Sequence, residues 1–229
     1  MVETHVPTPT LERLATYLRV LLDAHEAGVD TISSQEMERH SGISAAQFRK
    51  DLSYFGEFGK PGVGYSVEQL IRCIERILHL DRDQPMILIG AGNLGAALVG
   101  YPNFSAHRLR IAAVLDNDFI KIGRLFGGLV VEDIARVREV NERVGAKIAI
   151  IAVPASSAQK VADLLVDAGI TGILNFAPTV LRVPPHVHVR NVSFLQELAV
   201  LSYHIAESLP AIQSCEPQPV GGGNGRATL

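Results

Sequence analysis

From Thr8 onward the apolar residues Leu11, Leu14, Ala15, Leu18, Leu21 and Leu22 recur at helical spacing. Thr8 reads as an N-cap with Pro9 at the first helical position, and Gly28 closes the segment. Ser33-Ser34-Gln35-Glu36 is an S-x-x-E capping box that opens a short helix through Met37, ending near Ser41-Gly42. Ser44-Ala45-Ala46-Gln47 reads as a second box, S-x-x-Q, opening a helix from about Ala45 to Phe55. Two helices meeting across a short turn that contains a glycine form the helix-turn-helix pattern. Phe58-Gly59-Lys60-Pro61-Gly62-Val63-Gly64-Tyr65 then reads as a hairpin tip, or wing, before a last helix that buries Val67, Leu70, Ile71, Ile74, Ile77 and Leu78.

Beyond residue 84 the rhythm changes. Pro85-Met86-Ile87-Leu88-Ile89, Ile111 to Leu115, Lys147 to Val153 and Gly172 to Leu174 are short apolar runs of the kind buried parallel strands show. Helical stretches such as Ser156 to Ala168 lie between them. This alternation predicts an α/β fold. Residues 1–80 form a winged helix-turn-helix domain, and residues 81–191 a Rossmann domain with a doubly wound parallel sheet. From Pro210 the chain reads PAIQSCEPQPVGGGNGRATL, so residues 209–229 are expected to be a disordered tail.

Two segments carry candidate chemistry. In the helix from Ala45, the residues Ala45, Phe48, Leu52 and Phe55 form one apolar stripe, while Ala46, Lys50, Ser53 and Tyr54 face away, flanked by Gln47 and Arg49. Small, basic and hydrogen-bonding side chains suit a helix lying in a major groove. The candidate DNA contacts are therefore Ser44, Gln47, Arg49, Lys50, Ser53 and Tyr54, with Lys60 and Gly62 in the wing. In the second segment, the strand ending at Ile89 runs into Gly90-Ala91-Gly92-Asn93-Leu94-Gly95, a G-x-G-x-x-G loop, with Asp116 downstream. Gly90 permits the turn, Gly92 a close backbone approach by a pyrophosphate, and Gly95 close helix–strand packing. Asp116 would accept the ribose hydroxyls, which favours NAD(H) over NADP(H), although Lys121 and Arg124 lie nearby in sequence. Val153, Pro154, Asn175, Phe176 and Ala177 end later strands and are expected around a nicotinamide.

Function classes narrow from here. Between Pro178 and Pro210 there is no room for a separate substrate domain of the usual 50 residues or so. The nucleotide is therefore expected to be sensed, not turned over. A small NAD-dependent oxidoreductase is one rival. A CoA-binding module is another, disfavoured because an aspartate meets a 3′-phosphorylated ribose poorly. Cys73 and Cys215 form no paired motif, and no His/Cys cluster suits a metal, so a reduced, cytoplasmic setting is the simplest reading. No apolar run is long enough to span a bilayer of roughly 30 Å.

Charge complicates the nucleic-acid reading. The 229 residues carry 21 Lys+Arg against 24 Asp+Glu, a net −3 and no basic excess. Locally the balance differs: between Ser44 and Tyr65 the cations Arg49, Lys50 and Lys60 stand against Asp51 and Glu57.

The segments Arg49-Lys50-Asp51-Leu52-Ser53-Tyr54-Phe55-Gly56, Gly62-Val63-Gly64-Tyr65, the GAGNLG loop, Tyr101-Pro102-Asn103-Phe104 and Gly172-Ile173-Leu174-Asn175-Phe176-Ala177-Pro178 together resemble the redox-sensing transcriptional repressor family Rex. The resemblance covers about residues 7 to 208. It implies a cytoplasmic homodimer that holds a palindromic operator when free or NAD⁺-bound and releases it when NADH binds. It also implies that the last helix, residues 192–208, is exchanged between subunits, with Phe194 entering near the other subunit's nicotinamide. Arg49, Lys50, Tyr54 and Lys60 should meet DNA, and Gly90 to Gly95 with Asp116 should hold the adenosine and pyrophosphate. Arg19 and Tyr101 belong to the family's polar switch. That switch uses an acidic residue just before the phenylalanine, where this chain has Ser193.

Overall fold

The computed structural model describes residues 6–56, 58–59 and 63–206. The tail expected over 209–229 lies outside the described residues. In chain order the elements are α1 (Thr8–Glu26), β1 (Thr31–Ile32), α2 (Ser34–Ser41), α3 (Ala45–Ser53), β2 (Tyr65–Ser66) and α4 (Val67–Ile77). They continue with β3 (Gln84–Ile89), α5 (Asn93–Val99), α6 (Pro102–Ala106), β4 (Leu109–Asp116), β5 (Leu125–Phe126) and β6 (Leu129–Asp133). After a 3-10 turn (Ile134–Arg136) come α7 (Val137–Val144), β7 (Ile148–Ile151), α8 (Ala155–Asp167), β8 (Gly172–Asn175), β9 (His188–Asn191) and α9 (Phe194–Ala206).

The first six elements build a winged helix. Leu14, Tyr17, Leu21, Met37, Phe48, Val67 and Ile74 are fully buried in one core. Phe48 sits edge-on between Tyr17 and Tyr65, with ring centroids 4.9 and 5.2 Å away, so α3 is gripped from both sides. β1 pairs antiparallel with β2, where the sequence pattern had marked no strand before α2. The expected N-cap at Thr8 moves to Pro7, with Pro9 inside the first turn. Prolines tolerate that turn because its N–H groups have no helical acceptor.

The first capping box is complete. Glu36 N–H donates to Ser33 Oγ at 3.2 Å, and Ser33 N–H donates to Glu36 Oε2 at 2.7 Å. Gly42, at φ 73°, ends α2 in the left-handed region. The second box is only half formed. Ser44 Oγ accepts from Gln47 N–H, but the Gln47 side chain turns forward to Asp51 and leaves the Ser44 N–H; Glu38 of α2 accepts the next N–H, that of Ala45. α3 also ends at Ser53, with Tyr54 as its C-cap, so Phe55 packs from beyond the helix.

Asp51 departs furthest from expectation. In the sequence it stands as a local anion against Arg49, Lys50 and Lys60, yet it is fully buried. Arg13 clamps it with Nε at 2.6 Å and Nη2 at 2.7 Å, Tyr17 donates its hydroxyl at 2.9 Å, Gln47 its amide at 2.8 Å, and Thr10 its hydroxyl at 3.3 Å. Burial alone would raise the carboxyl pKa, but the hydrogen bonds from Arg13, Gln47 and Tyr17 outweigh it and hold it below the usual range.

The remaining strands form one seven-stranded sheet, ordered β5-β6-β4-β3-β7-β8-β9, parallel except for β5. Leaving β5 aside, this is the 3-2-1-4-5-6 order of the doubly wound dinucleotide fold. Ile87, Ile89, Leu115 and Ile151 are buried on one face with α7 and α8, while Met86, Leu88, Val114 and Ile150 are buried on the other.

Removing the Asp51 carboxylate strands Arg13. Asp51→Ala should cost about 3 kcal/mol, the low end for a broken buried pair because Arg13 keeps some access to water. Because the folded pKa lies below the unfolded value, near about 3.9, the stabilisation is complete above that value and vanishes as pH falls through the folded one. Chemical denaturation followed from neutral to acidic pH should show the gap between wild type and variant closing as the carboxylate protonates. A gap that stays constant counts against the ionised pair.

Candidate functional site

The sheet order reverses between β3 and β7, so the cleft beyond their carboxyl ends is the predicted ligand position. A cavity of about 540 Å³ occupies that place. Gly90, Gly92, Asp116, Val153 and Pro154 line it, so five of the expected residues meet there.

The glycines divide the labour. A Cβ on Gly90 would lie 2.4 Å from the Ala152 carbonyl oxygen, and one on Gly95 would lie 2.1 Å from the Gly90 carbonyl oxygen. Both positions are closed by backbone. A Cβ on Gly92 meets nothing within 4 Å, so this glycine leaves space open to the cleft. α5 begins at Asn93, inside the G-x-G-x-x-G loop, with Gly92 as an N-cap that has no side-chain oxygen to offer the first-turn N–H groups. Asn93 is exposed and Leu94 half-buried.

Asp116 closes the far side. Its Oδ2 accepts the Ala91 N–H at 2.8 Å and its Oδ1 accepts the Asp118 N–H at 2.9 Å, so the carboxylate stitches the glycine loop to the end of β4. The Ala91 N–H is thus engaged within the protein, and its expected role toward a ligand reduces to shaping the loop. Lys121 Nζ lies 3.1 Å from Asp116 and 3.9 Å from Asp118, so its charge is already shared between two carboxylates. Burial would raise the Asp116 pKa, but the Asp118 and Ala91 N–H groups and Lys121 lower it overall. A carboxylate offers about four acceptor positions, which leaves room for a hydroxyl donor. The group as a whole is anionic and ill-suited to a further phosphate. Lys160, Ser156 and Ser157 of α8 also line the cleft, where no sequence motif marks them. They follow β7 as the glycine loop follows β3, which is the signal that could have found them.

Asn175 does not line this cleft. It is fully buried, its amide donating to the Ala177 and Thr179 carbonyls and to Asn191 Oδ1, while its own oxygen accepts the Ala177 N–H. Its role is to build the turn that carries Phe176 and Ala177. Phe176 lies 6.4 Å, centroid to centroid, from Phe194 at the start of α9. Ser193 Oγ accepts the Gln196 N–H, so the serine serves there as a helix cap. Tyr101 is exposed, its hydroxyl accepting from Asn103, and Arg19 is exposed on α1.

Among the candidate DNA contacts, Arg49, Lys50, Ser53 and Tyr54 are exposed. Arg49 also donates to Ser34 Oγ at 2.8 Å, tying α3 to α2. Ser44 is a cap, Gln47 is held by Asp51, and Ser53 Oγ donates back to the Lys50 carbonyl, so these three are less free than expected. Lys60 and Gly62 lie outside the described residues.

Known proteins resemble the chain along nearly all of it. A family model described as "CoA binding domain" matches residues 81–179, and one described as "Putative DNA-binding protein N-terminus" matches residues 5–53. The redox-sensing transcriptional repressor Rex of Chloroflexus aggregans is 46% identical over 200 residues, covering 87% of this chain and 94% of its own. The protein of that name from Streptomyces coelicolor is 44% identical over 199 residues, covering 87% and 77%. The crystal structure of RSP with β-NAD⁺ and operator DNA matches with a TM-score of 0.84 at 36% identity, covering 90% of this chain and 95% of that one. RSP with β-NADH matches with a TM-score of 0.82 at 35% identity, covering 90% and 97%.

The glycine contrast can be tested in thermal unfolding. Gly95→Ala forces a backbone clash and should lower stability by about 1–3 kcal/mol. Gly92→Ala, with open space around its Cβ, should leave the midpoint near wild type. Equal losses in both would mean that the loop is not built as described.

Proposed function

Because the chain belongs to the Rex family of redox-sensing transcriptional repressors, we propose that it is a repressor that senses the NADH/NAD⁺ ratio, binding operator DNA as a homodimer and releasing it when NADH binds. The observation that carries this reading is the joining, in one chain, of a glycine-cradled switch-point cleft to a helix-turn-helix whose second helix exposes Arg49 and Lys50. Residues 1–80 act on DNA, 81–191 on the nucleotide, and the stretch from Val192, described as far as Ala206, on the second subunit. The nucleotide is a signal and is not turned over, and the protein works in the cytoplasm.

The residues present fit a dinucleotide. The open side of Gly92 admits a pyrophosphate, and Asp116 has capacity for a ribose hydroxyl. The anionic trio of Asp116, Asp118 and Lys121 disfavours a 2′-phosphate, which supports NAD(H) over NADP(H). Bound NADH brings a neutral ring where NAD⁺ brings a cation. Phe176, Ala177 and Phe194 offer the apolar wall against which a cation loses hydration without compensation. The family-model match to a CoA-binding domain favours a second ligand, yet the same carboxylates meet the phosphorylated ribose of CoA unfavourably.

α9 supports the homodimer. Phe194, Leu195, Leu198, Leu201 and Tyr203 are each more than half exposed, on several sides of one helix. A helix with this much exposed apolar surface is stable only when covered, and exchange between two subunits covers it. Two recognition helices on one particle then engage two half-sites.

Fluorescence anisotropy of labelled operator should fall on titration with NADH and far less with NAD⁺ or CoA. Moving the population from 99:1 to 1:99 requires about 5.5 kcal/mol of differential affinity. Operator affinity unchanged at saturating NADH overturns the sensor reading. Arg49→Ala should weaken operator binding about tenfold to a hundredfold while leaving NADH affinity near wild type. The double change Leu198→Asp, Leu201→Asp should yield a monomer in sedimentation velocity; a persistent dimer would place the interface elsewhere.

A further inference from the structure

One contact joins the ends of the chain. Arg190 of β9 and Glu12 of α1 form an ion pair across 178 positions, linking the nucleotide-binding sheet to the winged helix. One chain neighbour of each partner is itself engaged. Next to Glu12 stands Arg13, which clamps the buried Asp51 of α3 with two short hydrogen bonds. Next to Arg190 stands Asn191, whose side-chain oxygen accepts from Asn175, the residue that builds the Phe176–Ala177 turn. β8 and β9 run in register, Leu174 beside Arg190 and Asn175 beside Asn191. Hydrogen bonds, one ion pair and two peptide links thus connect the Phe176–Ala177 turn to the DNA-reading helix.

We infer that Arg190 and Glu12 form a latch through which the state of the Phe176–Ala177 turn positions α3 on DNA. The inference rests on the reading that NADH releases the chain from its operator. A shift of the turn moves β9 through Asn175 and Asn191. The latch passes that shift to α1, and the Arg13–Asp51 clamp carries it to α3 without slack, because a buried carboxylate cannot be left unpaired. Neither Glu12 nor Arg190 is assigned to ligand or DNA, so both are positioning residues. In this reading the closed latch belongs to the DNA-holding state. The pair is largely exposed, so it biases the equilibrium modestly and does not set it alone.

The test compares wild type, Glu12→Ala, Arg190→Ala and the swapped pair Glu12→Arg, Arg190→Glu in three readings: operator affinity without nucleotide, NADH affinity without DNA, and thermal midpoint. Opening the latch should weaken operator binding and tighten NADH binding, each by about two- to fivefold, because linked states exchange what one ligand loses and the other gains. The midpoint should stay near wild type, and the swap should restore both affinities. Single variants in which both affinities fall together, or neither moves, overturn the latch while leaving the sensor reading intact. A wild-type chain whose operator affinity ignores NADH overturns that reading and the latch with it.

Discussion

The DNA-reading half of this chain depends on one buried charge. Asp51 sits with no exposed surface inside a helical core, where an unpaired carboxylate would cost several kcal/mol. Three side chains of α1 and one of α3 answer it: Thr10, Arg13, Tyr17 and Gln47. These donors act over short, directional distances, so α3 is stable only where Asp51 meets Arg13. Its rotation about its own axis is fixed with it. Each residue of a helix turns about 100° from the last, so Arg49, two positions before the inward Asp51, points roughly 200° away. The buried anion thereby determines which cation is displayed. It acts back on its partners as well: burial and the Asp51 hydrogen bond raise the Tyr17 pKa, and hydrogen bonding to Asp51 raises that of Arg13. The clamp therefore stays in one protonation state through the neutral range.

The nucleotide half repeats the device. Asp116 is buried at the end of β4 and takes N–H donors from the glycine loop and from its own turn, with Lys121 balancing part of its charge. A loop of glycines has little to hold it in place, and glycine loses more backbone freedom on ordering than any other residue. The Ala91 N–H held by Asp116 supplies the missing restraint. The carboxylate proposed to take a ribose hydroxyl is also the one that keeps the glycine loop in shape. Substitutions there are expected to disturb both at once.

Much of this was legible in the sequence. Periodicity separated the helical N-terminus from the strand-rich remainder, and G-x-G-x-x-G gained its meaning from the apolar strand before it and Asp116 after it. What escaped notice has a common cause. Asp51 lies beside the apolar stripe of its helix, and a linear pattern assigns such an aspartate to water because its partner Arg13 is 38 positions away. Asn175 closes a strand where ligands usually bind, yet its amide is consumed by neighbours within a few residues and by Asn191 across the sheet. Gln47 fits the capping pattern, but a buried carboxylate one turn ahead competes for its amide more strongly than a backbone N–H competes for its oxygen. β1, β2 and β5 are two residues long, too short for alternation to register.

The burial of Asp51 also changes how the charge of the chain should be read. A net charge of −3 argues against nucleic acid only if every charge faces solvent. Here one anion of the recognition helix is removed from the surface and compensated from α1, which leaves Arg49 and Lys50 exposed on that helix. So small a patch releases few counterions, and non-specific attraction to DNA is correspondingly weak. Affinity must then come from correct placement, meaning two patches held at the spacing of two half-sites. Placement can be withdrawn by a small rotation, whereas bulk electrostatic attraction falls off only gradually with distance and would survive it. An acidic chain with few, rigidly oriented cations is therefore better suited to a switch than a basic one, and the rigidity that makes the switch sharp comes from the buried clamp on Asp51.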